Sequence, residues 1–94
     1  MSILVRIPTP LRRMTNGKGQ VETEAGTLRQ VVEQLEESYP GFKARLMDEN
    51  GELHHFVNIY INGEDVHFLQ GLETTTTSGD EVSIVPAVAG GSSA

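Results

Sequence analysis

Hydrophobic residues alternate from the third position of the chain. Ile3, Val5 and Ile7 fall on one face and Leu4 and Arg6 on the other, the period of a half-buried strand. Pro8 and Pro10 end that strand, and TNGKGQ at residues 15–20 reads as a turn-rich loop. QVETEA at residues 20–25 predicts a second, weaker strand whose one strongly apolar residue is Val21. The period turns helical after Gly26. Thr27 can act as N-cap, with Gln30 reaching back to complete a capping box. Leu28, Val31, Val32, Leu35 and Tyr39 then form one apolar stripe, with Glu33, Glu36 and Glu37 off it. Pro40 lacks a donor and Gly41 can take a positive φ, so YPGF stops the helix.

KARLMDENG predicts a short turn of helix followed by a loop. LHHFVNIYING predicts a strand with Val57, Ile59 and Ile61 on one face, running into an Asn62-Gly63 turn that favours tight reversal. EDVHF, residues 64–68, is expected as a short return strand. GLETTTTSGD is a connection closed by Gly79 and Asp80, and EVSIVP a last strand with Val82 and Ile84 inward. This order of elements lets one main helix cover one face of a mixed sheet of four to five strands, an α+β architecture. The first and last strands are the most apolar, which suits central, adjacent positions, and the intervening helix supplies the crossover that makes them parallel. That arrangement is the β-grasp of ubiquitin-like proteins. Residues 1–86 are expected to form the domain, and 87–94 to leave from the end of a central strand as a flexible tail.

With 94 residues the chain has room for one core, burying roughly 60–70% of its unfolded surface, and little for a deep internal site. The net charge of −6 argues against a nucleic-acid partner, and Arg12-Arg13 reads as a pair of solvated loop charges. No apolar run is long enough to cross a membrane. The N-terminus reads as a strand and not a signal peptide, so the expected location is cytoplasmic and no membrane partner is expected. Cysteine is absent, which removes disulfides, thiolate nucleophiles and carriage on a side-chain thiol.

The tail carries the chemistry. Ala87, Val88, Ala89, Gly90 and Gly91 have no reactive side chain, and such a segment can thread a channel too narrow for ordinary side chains. A chain end owns a carboxylate, ionised and inert near neutral pH because its pKa is about 3.3–3.7. Chemistry there requires activation by another protein, most simply as an acyl-adenylate.

The segments FVNIYINGEDV and GLETTTTSGDEVSIVPAVAGG resemble the C-terminal half of the MoaD/ThiS family of ubiquitin-like sulfur carriers, where a VNGE hairpin, a GL-T segment, a GDEV turn and strand, and a Gly-Gly follow in this order. RIPTPLR, LEESYPG, RLMD and LHHFVNIYINGEDVHF extend the resemblance over nearly the whole chain, to the branch of that family that supplies sulfur for cysteine synthesis. The resemblance implies that an E1-like enzyme uses ATP to adenylate Gly91, whose carboxylate becomes a thiocarboxylate. A PLP-dependent cysteine synthase would couple that sulfur to an activated serine derivative, and a zinc-dependent JAMM-type metalloprotease would release the product. ATP, PLP and zinc belong to those partners, and no cofactor is expected on this chain. The family ends at Gly-Gly, whereas Ser92, Ser93 and Ala94 follow here. The resemblance therefore implies cleavage of the Gly91–Ser92 bond, for which the JAMM-type peptidase is the economical agent; the alternative is an incidental tail.

The remaining candidates are weaker. His54, His55 and His67 are the only histidines, and as strand neighbours His54 and His55 would face opposite ways and could not chelate together. Glu64 and Asp65 diverge for the same reason and read as hairpin charges. Thr74 to Thr77 suit a β-rich connection without any modification. Leu4, Tyr60 and Val85 fall on the outward sheet face, and Phe56 or Phe68 could join them as a docking patch; an ordinary sheet face with scattered apolar residues is the other reading. Outside the cysteine branch, the same tail chemistry serves molybdopterin, thiamin, thio-sugar and thio-nucleoside pathways. A ubiquitin-like modifier and a β-grasp binding module with an idle tail complete the alternatives. An enzyme is the least favoured class, since no nucleophile, base and oxyanion donor can be assembled.

Overall fold

The computed structural model describes residues 2–86. Strands β1 (Ser2–Arg6), β2 (Gln20–Glu24), β3 (Val57–Ile61), β4 (Glu64–Asp65) and β5 (Glu81–Pro86) form one sheet in the order β2-β1-β5-β3-β4. Helix α1 is Leu28–Ser38 and α2 is Phe42–Leu46. β1 and β5 lie together near the centre and run parallel, with Val5 opposite Val82; every other neighbouring pair is antiparallel. The β-grasp expected from the pattern is thus the fold observed.

The capping box forms as its residues dictate. Gln30 N–H donates to Thr27 Oγ1 at 3.2 Å, and Thr27 N–H donates to Gln30 Oε1 at 2.9 Å. Gly26 leaves room for it, since a Cβ there would lie 2.5 Å from Gln30 Oε1. The stripe Leu28, Val31, Val32 and Leu35 is buried, as are the sheet residues Ile3, Val5, Val57, Ile59, Val82 and Ile84 of the same core. Each such side chain contributes about 1.5–3 kcal/mol through removal from water. α1 stops at Tyr39, and Gly41 adopts φ +97°. The Glu36 carboxylate then accepts the N–H groups of Gly41 and Lys43, at 3.1 and 2.9 Å, joining α1 to α2. Phe42, the first residue of α2, is fully buried.

Three segments depart from the pattern. The stretch expected as loop after Pro8 contains a 3-10 turn, Thr9–Thr15, anchored by Thr15, whose buried hydroxyl donates toward the Lys18 carbonyl at 2.8 Å. The strand expected from Leu53 begins at Val57. His54 N–H donates instead to the Leu46 carbonyl at 2.9 Å, and Val57 N–H closes a turn onto the His54 carbonyl. His54 and His55 are therefore not strand neighbours. The return strand ends after Asp65, because its carboxylate accepts the His67 N–H at 2.8 Å and starts a 3-10 turn, Val66–Phe68.

The four threonines are structural. Thr76 is 3% exposed; its hydroxyl donates to the Gly26 carbonyl at 2.7 Å and accepts the Gly26 N–H at 3.0 Å. Leu28 N–H donates to the Thr74 carbonyl, so this connection is stitched to the start of α1.

Candidate functional site

The site is the end of the sheet where β5 finishes. Parallel pairing brings the C-terminal ends of β1 and β5 to the same side, and β3 starts there, with Val57 opposite Pro86. Pro86 is thus the attachment point of the tail. Ala87, Val88, Ala89, Gly90, Gly91 and Ser92 lie outside the described residues.

Two hairpin signals from the sequence meet at the opposite end and hold this arrangement. Asn62 and Gly63 both have positive φ, 53° and 87°, as a tight primed turn requires. The Asn62 amide donates to Asp80 Oδ1 at 3.0 Å, and its carbonyl oxygen accepts the Glu81 N–H at 3.0 Å. The Asp80 carboxylate also accepts the Thr77 N–H at 2.8 Å. Those donors, Thr77 N–H first and then Asn62, hold Asp80 below the usual carboxylate range. The Ile61–Glu64 turn and the Gly79–Val82 turn are therefore one hydrogen-bonded unit that sets the register of β3 against β5.

On the outward face, the sheet brings some of the expected docking residues together and separates others. Tyr60 lies opposite Ser83, and Val85 opposite Asn58 in the next row toward the tail, so Tyr60 and Val85 are diagonal neighbours. Val85 is 43% exposed. Phe56, 42% exposed, precedes the Val57–Pro86 pair and stacks on His54 with ring centroids 4.6 Å apart, while His55 meets it edge-on at 5.6 Å. Leu4 sits in a different row, between Glu22 and Glu81. Phe68, 83% exposed, belongs to the 3-10 turn beyond β4, off the sheet.

Glu64 and Asp65 do not act as a pair. Asp65 caps the His67 turn and lies 2.9 Å from His67 Nδ1; the His67 N–H, then its ring, hold that carboxyl below its ordinary range. Among the described residues, no group of three His, Cys, Asp or Glu could hold a metal ion, and no helix is long and apolar enough to cross a membrane.

A feature that sequence reasoning missed flanks the tail attachment point. Arg6, Pro8, Arg12, Val85 and Pro86 border a shallow groove there. Its basic side was legible only as a charge bias: residues 1–21 contain four Lys or Arg and no carboxylate, leaving three cations and all thirteen carboxylates to the rest of the chain.

The ThiS family pattern matches residues 5–91. The chain belongs to the ThiS family. The family match runs through Gly91 and leaves Ser92, Ser93 and Ala94 beyond it. The sulfur carrier protein CysO of Mycobacterium tuberculosis is 50% identical over 93 residues, covering 97% of this chain and all of that protein. In the crystal structure of the Amycolatopsis orientalis BexX/CysO complex, a chain 44% identical superposes with a TM-score of 0.88, over 93% of this chain and 97% of that one. Small archaeal modifier protein 3 of Haloferax volcanii is 43% identical over 65 residues, 69% of this chain and 70% of the relative. Two relatives of different description, a sulfur carrier and a modifier, thus resemble this chain.

Proposed function

We propose that this ThiS-family chain is a sulfur carrier whose working group is the carboxylate of Gly91. The observation that carries the reading is the 50% identity to a sulfur carrier across nearly the full length of both proteins, together with a family match that runs through Gly91. An E1-like enzyme attaches AMP to the Gly91 carboxylate at the expense of ATP and releases pyrophosphate. Sulfur then displaces AMP, giving a thiocarboxylate. That sulfur bonds to the β-carbon of an activated serine derivative on a PLP-dependent cysteine synthase, in place of the activated oxygen substituent, which leaves with the C–O bonding pair. An S-to-N shift of the glycyl group leaves cysteine in amide linkage, and a zinc-dependent JAMM-type peptidase hydrolyses it off. ATP, PLP and zinc act in those partners. The described residues supply the platform that presents the tail, with Tyr60, Val85 and Phe56 around its base as the docking face and Leu4 and Phe68 as its outlying members.

Since Ser92 follows Gly91, this chemistry requires the Gly91–Ser92 bond to be cut first, and the JAMM-type peptidase is the proposed agent. Sulfur delivery to molybdopterin, thiamin, thio-sugar or thio-nucleoside synthesis would use the same tail. The likeness to an archaeal modifier favours one second reading, conjugation of Gly91 to lysines of other proteins.

The test is reconstitution. Chain ending at Gly91, the adenylating enzyme, ATP and sulfide should yield protein heavier by one oxygen-to-sulfur exchange. Chain retaining Ser92 to Ala94 should yield none until the peptidase is added. Equal products from both, or none from either, would refute this reading, and covalent conjugates to lysines without any sulfur exchange would support the modifier.

A further inference from the structure

The first 21 residues carry four cations and no carboxylate in a protein of net charge −6. The fold gathers much of this charge at one place. β1 ends in Arg6, opposite Ser83 of β5; the Thr9–Thr15 turn that follows carries Arg12 and Arg13, and Arg6 and Arg12 border the groove that Val85 and Pro86 also line. Arg12 is held there: its Nε donates to the Ile7 carbonyl at 3.0 Å, and its guanidinium lies where a Gly19 Cβ would approach within 3.2 Å. A side chain pinned at its neck and packed on a glycine presents its charge in a defined direction, unlike a solvated loop arginine. Arg6 is part-neutralised by an ion pair with Glu81, and Arg13 is exposed. On this sheet face Glu22 and Glu24 stand opposite Leu4 and Ser2, in rows away from the tail, and Asp65 shares the row of Arg6 but lies across β5 and β3 from it, its carboxylate engaged by His67.

We infer that Arg12, with Arg13 and Arg6, forms a basic lip beside the tail attachment point that recognises a carboxylate cluster on the protein receiving the tail. The inference rests on the carrier reading for that partner's role. A positive lip on a molecule of net charge −6 orients the encounter, because an acidic mouth attracts the lip and is repelled by the net negative remainder of the chain. It thereby brings Pro86 and the tail to the mouth before the apolar residues make contact. The effect belongs to the approach, so it should weaken as salt shortens the Debye length to about 3 Å at about 1 M.

Two measurements test it. In the first, a short polyglutamate peptide is titrated into the labelled chain at low salt. The amide shifts should concentrate at residues 6–13, Gly19 and Val85, and vanish in Arg12→Glu. Shifts scattered over the surface, or unchanged in Arg12→Glu, overturn the lip. In the second, adenylation of the chain ending at Gly91 is followed at low and high salt. Arg12→Glu should raise KM about tenfold or more at low salt with kcat retained, the gap closing at high salt. Arg29→Glu makes the same change in net charge at the far end of α1, where Arg29 pairs with Glu73, and should leave KM near the parent value. Equal KM changes in the two variants overturn the lip. If the parent chain is never adenylated, the carrier reading fails, and the peptide titration alone decides the lip.

Discussion

Thr76→Val removes one hydroxyl and almost no volume, so it isolates the stitch between the threonine connection and the start of α1. The hydroxyl makes two hydrogen bonds with Gly26, at 2.7 and 3.0 Å, from a residue 3% exposed. The Gly26 carbonyl keeps a second donor, Thr76 N–H at 2.8 Å, and loses little beyond a net bond of about 0.5–1.5 kcal/mol. Gly26 N–H faces a methyl group instead of its acceptor, a penalty of about 1–3 kcal/mol if water cannot reach it and less where it can. The expected cost is about 2 kcal/mol. For a chain of this size that lowers Tm by roughly 8–16 °C, at about 4–8 °C per kcal/mol. Thr76→Ser keeps the hydroxyl and drops one methyl, for about 1 kcal/mol. Urea unfolding of the three proteins gives both differences. Thr76→Val within about 0.5 kcal/mol of the parent, or Thr76→Ser as costly as Thr76→Val, would refute the assignment of the stabilisation to the hydroxyl.

Phe42→Ala should cost about 3–5 kcal/mol in the same assay, since a fully buried ring is replaced by a cavity in the hydrophobic core; a loss below about 1 kcal/mol would mean the site collapses around it. Asp80 is held below the ordinary carboxylate range in the folded state, so its contribution is present above the unfolded pKa of about 3.9 and is lost as pH falls through the folded value. Stability should therefore drop in acid and drop less steeply in Asp80→Asn, read from urea midpoints between about pH 5 and pH 2; equal slopes would show that Asp80 is not among the groups responsible. Asp65 and Glu36, depressed by backbone N–H groups of their own, contribute in the same direction.

Much of this structure was legible because its determinants are local. Alternation in Ile3, Val5 and Ile7 and in Val57, Ile59 and Ile61 states which face is buried, and Thr27 with Gln30 states where α1 begins. The apolar character of the first and last strands placed them at the centre. Elsewhere a hydrogen bond that the strand period does not encode decided the outcome. His54 turns away from the strand period because Leu46 accepts its N–H, and EDVHF stops pairing after Asp65 because a short carboxylate competes with the ladder. Proline at Pro8 and Pro10 fits a loop and a 3-10 turn equally well, so nothing local distinguished them. Arg12 read as a loop charge because the chain turns it back onto the Ile7 carbonyl, the pairing of β1 with β2 brings it Gly19, and that of β1 with β5 brings Val85 to the same groove. The proposed tail chemistry rests on Gly90-Gly91 in the sequence and on the family likeness, and the fold adds Pro86 as the last described residue before them.

The most direct measurement is the intact mass of the untagged protein taken from its native cells under non-reducing conditions. A population ending at Gly91 is expected, with a fraction heavier by one oxygen-to-sulfur exchange and, where cysteine is the product, a fraction bearing one added cysteine. A population that retains Ser92 throughout, in cells actively assimilating sulfur, would contradict it.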